Sequence, residues 1–378
     1  MLIRVERGGH ANGLAFLGCP DEKARWRIQE MAVLADRAVI HIGTQKTGTS
    51  SLQSWLASHR PLLASAGFFY PHSCKWSDDH SHNSLPAAML KDESLQGGGE
   101  YVCLLDELLA EIDSQPRMNM ILSSEMLEKA PRFAPRHVVK LLESLRARFR
   151  HIEVVYCLRT PSILADSIFR QWVQSYETRF AGDPLAMAER EIPNLNFTAI
   201  AQTWLDTGCI SQIRGFWYEG HAPGAHLLRA LRLLGLGLDV DLERVGHAEW
   251  ENRSLDGRLL QIKHALNRNL SDKTAHDAFL AALRLVAKRH PSWSTRTTIF
   301  DSTSLAAFEA KCARHVFEQN IQMSDGGEAY RPKATDSVVP DLFVPLDIPG
   351  AMALLRRLAD QGEPAPLQCL DVFQIPSN

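Results

Sequence analysis

The chain alternates short, continuous apolar runs with longer segments of helical periodicity. Runs at 38–42, 118–123 and 151–158 are mostly apolar and predict buried strands. Segments such as 101–112 and 136–149 repeat apolar residues every three or four positions and predict amphipathic helices. Strands without polar alternation, separated by helices, are typical of a parallel sheet covered on both faces. We therefore predict an α/β fold, a parallel sheet flanked by helices, with a helical C-terminal part from about residue 257.

The first strand leads into a loop that two glycines bracket, Gly43 and Gly48. Hydroxyl side chains come next, and apolar residues then take helical spacing from Leu52 onward. Glycines allow the backbone to approach a ligand closely, and unpaired N–H groups at a helix start attract negative charge. The sequence therefore predicts an anion-binding loop between strand and helix, which makes the sheet a P-loop-type sheet.

The loop departs from a Walker A motif at one position. Gly43, Gly48 and Ser50 match the motif, but Thr49 occupies the position of its lysine. Lys46 lies two residues before the second glycine, so it would meet a phosphate from a different direction. A Mg²⁺-dependent nucleotide kinase or NTPase is therefore the less favoured alternative, and no metal is expected.

A second candidate anchor follows the third strand. Arg159 lies at the strand end, Pro161 suits the first turn of a helix, and Ser167 lies about two turns into that helix. An arginine in this place can form a forked pair of hydrogen bonds to a phosphate, and a hydroxyl can complete the contact.

Together the two segments resemble the PAPS-dependent sulfotransferases, where PAPS is 3′-phosphoadenosine 5′-phosphosulfate. The sequence GTQKTGTSSLQ at 43–53 is similar to their 5′-phosphosulfate loop. The 159–167 segment is similar to their 3′-phosphate segment, although Thr160 stands where many members have asparagine. The resemblance covers about residues 37–325 and includes a late Asn-x-Ser-Leu segment in which Arg253 is a further candidate. It implies transfer of a sulfuryl group from PAPS to an acceptor hydroxyl or amine, with release of adenosine 3′,5′-bisphosphate (PAP).

The resemblance also implies roles for individual residues. Lys46 would neutralise charge on the bridging oxygen, and Arg159 and Ser167 would bind the 3′-phosphate. The remaining expected ligands of the co-substrate are residues of the loop itself: Gln45, Lys46, Thr47, Gly48, Thr49 and Ser50.

The reaction needs a base near the acceptor, and three residues are candidates. His82 is the first, because His80-Ser81-His82 resembles a histidine segment of some carbohydrate sulfotransferases and histidine titrates near pH 6.5. Glu125 follows a buried strand, where ligands of open α/β sheets bind, and is the second candidate before His80. A metal site or a solvated loop remains open for 72–83. His41, on the core strand, is expected to be a structural partner.

Composition limits the partners and the compartment. The formal net charge is −3, which gives no general case for nucleic-acid binding. Seven cysteines without a CxxC pair favour a reducing compartment. The N-terminus lacks the apolar segment of a secretory signal, and no apolar run is long enough to span a membrane. We expect a soluble, cytoplasmic protein.

The expected organisation is an N-terminal extension at 1–36, a sulfotransferase domain at 37–325 and a tail at 326–378 with a short helix at 351–359. A carbohydrate or glycan is the first expectation for the acceptor, because the histidine segment occurs in glycan sulfotransferases. A small secondary metabolite is the alternative. A non-catalytic PAP-binding protein on the same fold is a third possibility, and the oligomeric state stays open.

Overall fold

The computed structural model describes residues 34–76, 79–95, 99–115, 117–218, 225–236, 255–313, 321–323 and 341–369. Nearly all of the expected N-terminal extension lies outside these residues, as do Arg253 and much of the tail.

A six-stranded sheet forms the centre of the fold, and its recorded strand pairings are all parallel. The strand order is β2-β3-β1-β4-β5-β7, and a short separate pair joins β6 to β8. The strands are β1 Ala35–His41, β2 Phe68–Phe69, β3 Asn119–Ser123, β4 Phe149–Leu158, β5 Gln212–Trp217, β6 Thr297–Thr298, β7 Gln322–Met323 and β8 Asp341–Leu342.

Helices pack on both faces of this sheet, so the predicted α/β fold class is confirmed. The α-helices are α1 Thr49–Ser58, α2 Arg60–Ser65, α3 Ser84–Leu95, α4 Glu100–Asp113, α5 Ala130–Phe133, α6 Pro135–Arg146, α7 Pro161–Gln174, α8 Pro184–Glu191, α9 Phe197–Leu205, α10 Ala225–Leu233, α11 Gly257–Leu266, α12 Lys273–Arg289, α13 Ser302–Ala313, α14 Ile348–Asp360 and α15 Ala365–Gln368. Short 3₁₀ turns span Glu125–Lys129, Ile192–Leu195 and Pro291–Trp293.

The central strand β1 explains why the sheet has two covered faces. Val39 and Ile40 point to opposite faces, and both side chains have 0% exposure. Val39 packs in one apolar cluster with Leu52 and Leu56 of α1, whereas Ile40 packs in the other. Helices are therefore required on both sides of the sheet, as a continuous apolar strand predicts.

Some element boundaries differ from the sequence expectation. The helix expected over 136–149 ends at Arg146, because Phe149 is buried as the first residue of β4. Helical spacing of apolar residues over 22–35 also predicts a helix, but Ala35 begins β1, and residues 22–33 lie outside the described residues. Helices α8 and α9 were not predicted, and Asp183 and Asn196 cap their first turns by accepting backbone N–H groups.

The helical C-terminal part packs beside the sheet through α7, α11 and α14. Buried leucines of α11 and α14 belong to the larger apolar cluster. Within the described ranges, no helix combines the length and the apolar character that crossing a membrane requires.

Candidate active site

The carboxyl ends of neighbouring parallel strands carry the candidate site. The loop 42–48 follows β1, Glu125 follows β3, Arg159 follows β4 and Tyr218 follows β5. Because β3, β1, β4 and β5 are consecutive in the sheet, these segments lie side by side along one edge.

The loop has an unusual backbone that depends on glycine. Gly43, Lys46 and Gly48 have positive φ angles of 61°, 66° and 77°. A Cβ atom on Gly43 would lie 2.8 Å from Cγ2 of Thr49, so the start of the loop and the start of α1 are in close contact. The left-handed conformation at these positions turns the chain sharply into the helix.

Gly48 lies directly before α1 and forms its N-cap without any side-chain hydrogen bond. The first N–H groups of a helix have no partner within that helix, and here no capping side chain covers them. The His226 ring lies against Gly48: a Cβ added to Gly48 would be 2.5 Å from the imidazole Cδ2 and Nε2 atoms. The helix start is therefore suited to an anion, and an aromatic side chain borders it.

The two predicted anchors are in direct contact, although they lie 113 residues apart in the chain. Nη1 of Arg159 donates a hydrogen bond of 2.5 Å to the carbonyl oxygen of Lys46. The same guanidinium lies over the Tyr218 ring, 5.1 Å from its centroid. Arg159 thus connects Lys46, in the middle of the loop, to the carboxyl ends of β4 and β5.

Positive charge accumulates at this contact. Burial lowers the pKa of Lys46, and the charges of Arg159 and Arg170 lower it further. Burial likewise lowers the pKa of Arg159 to about 10, with Arg170 and Arg296 contributing in the same direction. Within the described residues, neither Lys46 nor Arg159 has a carboxylate within salt-bridge distance. Two partly buried cations with no carboxylate partner among these residues fit the binding of an anionic ligand.

The other expected ligands lie around the same loop with different exposure. The Thr47 hydroxyl donates to the Thr44 carbonyl at 2.5 Å, so it stabilises the loop in this conformation. Thr49 is buried, Ser50 is exposed and Gln45 is half-buried. Ser167 lies half-buried on α7, and no recorded contact in the described part of the chain joins it to the loop.

Glu125 is held next to the loop by two amide side chains. Its Oε2 accepts a hydrogen bond of 3.0 Å from Nε2 of Gln53, and its Oε1 accepts one of 3.4 Å from Nδ2 of Asn83. A Cβ added to Gly43 would lie 3.2 Å from Cβ of Glu125, so the two residues are neighbours. Glu125 is half-buried, so part of it is accessible to solvent.

The structure does not support His82 as the base, although the sequence pattern put it first. The side chain has 0% exposure, and its Nε2 lies 3.1 Å from the Pro71 carbonyl oxygen. Its Nδ1 accepts the backbone N–H of Ser123 at 3.1 Å. Burial lowers the pKa of His82 to about 3. Both ring nitrogens are thus occupied by backbone groups, and the ring connects Pro71 to Ser123 of β3. His80 is exposed at the surface.

His41 is also a buried structural residue. Its Nδ1 lies 2.8 Å from Oγ of Ser123, and burial lowers its pKa to about 4. Across the described ranges, no three His, Cys, Asp or Glu side chains are arranged to hold a metal ion. Asp78, beside the histidine segment, is outside those ranges.

Sequence reasoning missed a second carboxylate, Glu128, three residues after Glu125. Its Oε1 accepts hydrogen bonds from Oγ1 of Thr44 at 2.9 Å and from the Tyr156 hydroxyl at 2.7 Å. Burial raises the pKa of Glu128 to about 7. The partners come from the loop and from β4, so no local pattern in the sequence could have identified the contact.

Comparison with known proteins adds no family assignment. No family model and no curated protein matches the chain. A solved chain from the PezAT chromosomal toxin–antitoxin system of Streptococcus pneumoniae aligns with 52% of this chain and 75% of its own length, at 11% identity and a TM-score of 0.28. A likeness at that level carries no information about function.

Proposed function

We propose that this protein is a PAPS-dependent sulfotransferase that transfers a sulfuryl group to an acceptor hydroxyl or amine and releases PAP. The observation that carries the proposal is the contact between Arg159 and the Lys46 carbonyl at 2.5 Å. This contact joins two sequence segments that each resemble a phosphate-binding part of that family. Within the described residues, neither Lys46 nor Arg159 has an acidic partner.

The loop and its neighbours supply charge and hydrogen-bond donors. PAPS, when bound, supplies the sulfuryl group and a phosphate leaving group. The Lys46 ammonium neutralises charge that develops on the leaving oxygen, and backbone N–H groups at Gly48, Thr49 and Ser50 bind the 5′-phosphate. Arg159 and Ser167 are assigned to the 3′-phosphate. A Mg²⁺ ion is not needed for these roles, because the cations belong to the protein.

Glu125 is the proposed base. It lies beside Gly43 at the start of the loop, and Gln53 and Asn83 orient its carboxylate. A carboxylate in this place can accept the acceptor's hydroxyl proton as the sulfur–oxygen bond forms. His80, in the same histidine segment as His82, is the alternative base. A carbohydrate acceptor remains the first expectation, with a small secondary metabolite as the alternative, and a cytoplasmic location is part of the proposal.

Calorimetric titration with PAP, ADP and ATP–Mg²⁺ tests the co-substrate. The proposal expects PAP to bind more tightly than ADP, because only PAP carries a 3′-phosphate. Preference for ATP–Mg²⁺ would refute the proposal in favour of a kinase or NTPase. Absence of PAP binding would also refute it.

Turnover separates an enzyme from a PAP-binding protein. Purified protein is incubated with PAPS and a panel of glycans and small phenolic or alcoholic metabolites, and PAP release is measured. Acceptor-dependent release that Glu125→Gln abolishes supports the proposal. PAP binding without release for any acceptor favours the non-catalytic alternative.

A further inference from the structure

Glu128 is a buried carboxyl group beside the loop that the proposed reaction does not use. It lies on the 3₁₀ turn Glu125–Lys129, and only 3% of the residue is exposed. Within the described residues, Oε1 accepts hydrogen bonds from Thr44 and Tyr156, and Oε2 accepts none. This leaves Oε2 to carry a proton when the group is neutral.

The contact with Thr44 connects Glu128 to the conformation of the whole loop. Thr44 follows Gly43, and its carbonyl accepts the Thr47 hydroxyl at 2.5 Å. Glu128 thus holds Thr44, and Thr44 in turn holds Thr47. Thr47 lies directly before Gly48, the N-cap of α1. A change at Glu128 should therefore alter how the loop presents its N–H groups.

We propose that Glu128 is a positioning residue for the anion-binding loop, and that its carboxyl group takes up a proton when an anionic nucleotide binds there. That the bound anion is a nucleotide rests on the function proposed above. The contact of Glu128 with the loop does not depend on that function.

Electrostatics explain the proton uptake. Desolvation already raises the pKa of Glu128 to about 7, and the negative charge of Glu125 acts in the same direction. Lys129 and the hydrogen bonds from Tyr156 and Thr44 oppose this shift. Tyr156 itself stays protonated, because burial and Glu128 keep its pKa well above the usual range. A bound anion adds further negative charge nearby, which raises the pKa of Glu128 again.

The sign of the pH dependence follows from this shift. Because the bound state holds the proton more tightly, nucleotide affinity is highest below the pKa of the free protein, about 7. Affinity then falls as the pH rises above 7, by up to about tenfold per pH unit until the pKa of the bound state is reached.

The test compares the intact protein with Glu128→Gln and Glu128→Ala. PAP is titrated calorimetrically between pH 6.5 and 8.5 in two buffers of different ionisation enthalpy, which gives the number of protons taken up. Protons released by PAP itself are common to all three proteins. At pH 7.5 we expect the intact protein to take up about half a proton more than Glu128→Gln.

The two variants separate positioning from a merely structural role. Glutamine keeps an oxygen for Thr44 and Tyr156, so Glu128→Gln should bind PAP and lose the additional pH dependence. Glu128→Ala should bind PAP more than tenfold more weakly, and glutamine at the same position should restore that loss. Equal proton uptake in the intact protein and Glu128→Gln would overturn the linkage. Unweakened PAP binding by Glu128→Ala would overturn the positioning role.

If the proposed function is wrong, a second probe still tests the role of Glu128. If the intact protein does not bind PAP, inorganic sulfate becomes the probe, because sulfate has no group that titrates between pH 6.5 and 8.5. Stabilisation by sulfate, measured as a shift in melting temperature, should then decrease with pH in the intact protein but not in Glu128→Gln. The same pH response in both proteins would overturn the inference about Glu128.

Discussion

Replacing Arg159 with alanine should weaken PAP binding strongly while leaving the stability of the ligand-free protein nearly unchanged. Burial lowers the pKa of Arg159 from 12.5 to about 10, which corresponds to about 3 kcal/mol against the buried cation. Its hydrogen bond to the Lys46 carbonyl contributes about 2 kcal/mol in the opposite direction, and the attraction of Tyr218 is already contained in that pKa. The two contributions nearly cancel, so the free energy of unfolding should change by no more than about 1 kcal/mol.

The expected loss of binding is much larger than the change in stability. Removing one partner of a buried charge pair costs about 2–4 kcal/mol of binding free energy. This corresponds to a decrease in PAP affinity of about 30- to 1000-fold. Arg159 is thus already desolvated in the ligand-free protein, and the negative charge of a bound phosphate would compensate for the cost of burying its positive charge.

Calorimetry with PAP and urea denaturation without ligand measure the two quantities. Arg148→Ala is the control for binding: Arg148 forms two hydrogen bonds of 2.7 and 2.8 Å with the exposed Asp113 directly before β4, at the opposite end of that strand from Arg159, and its removal should leave PAP affinity unchanged. PAP affinity within twofold of the unaltered protein would refute the reasoning. A parallel loss of stability and affinity would show instead that Arg159 acts by holding the fold.

Further predictions concern the loop, the base and two buried histidines. Lys46→Ala should reduce kcat with PAPS by at least about 100-fold, with a smaller loss of PAP affinity, because the charge on the leaving oxygen develops only during transfer. Glu125→Gln should reduce kcat by about 10²- to 10⁴-fold and leave PAP binding unchanged, since only the proton transfer is lost. Gly43→Ala should lower the melting temperature, because φ is +61° and the new Cβ would lie 2.8 Å from Thr49. Acid should weaken the fold: His41 and His82 have folded pKa values of about 4 and about 3, below the 6.5 of an exposed histidine. Their stabilisation is complete above pH 6.5 and falls as the pH decreases, by about 2 kcal/mol each at pH 5 in urea denaturation.

Controls distinguish these effects from general damage. Lys91→Ala, which breaks an exposed ion pair of 2.6 Å with Glu100, should leave kcat unchanged. Gly67→Ala has a similar φ of +76° but no atom within 4 Å of the new Cβ, so it measures backbone strain alone. Gly43→Ala that is no less stable than Gly67→Ala would contradict the predicted steric contact. Equal stability at pH 7 and pH 5 would contradict the histidine prediction.

The strands of the sheet and the loop could be predicted from the sequence because each produces a local pattern of residues. Continuous apolar runs marked β1, β3 and β4, and the glycines at 43 and 48 are needed where the backbone takes positive φ. The contact between Arg159 and Lys46 was expected only as proximity. Its form, a side chain donating to a backbone carbonyl, depends on the orientation of two strand ends and has no sequence signal.

Residues that depend on distant partners were not predictable. His82 has the residue type and spacing of a catalytic base, but the backbone of Pro71 and Ser123 surrounds its ring. Glu128 resembles any polar residue of a turn until Thr44 and Tyr156 approach it. Burial decides the chemistry of both residues, and burial arises from packing between segments that are far apart in the chain.

The parallel order of the sheet has a consequence for how the protein is made. The loop residue Lys46 and its partner Arg159 are separated by 113 residues, and β1 pairs with β4 along most of its length. During synthesis, the strand that carries the loop emerges long before β4, which occupies one of its two edges. If the loop binds a nucleotide as proposed, the growing chain has no complete site until Arg159 has left the ribosome, and nucleotide cannot stabilise the earlier intermediates. Until then, even if β3 has already paired with β1, the other edge of β1 presents unpaired backbone N–H and C=O groups and is open to non-native pairing.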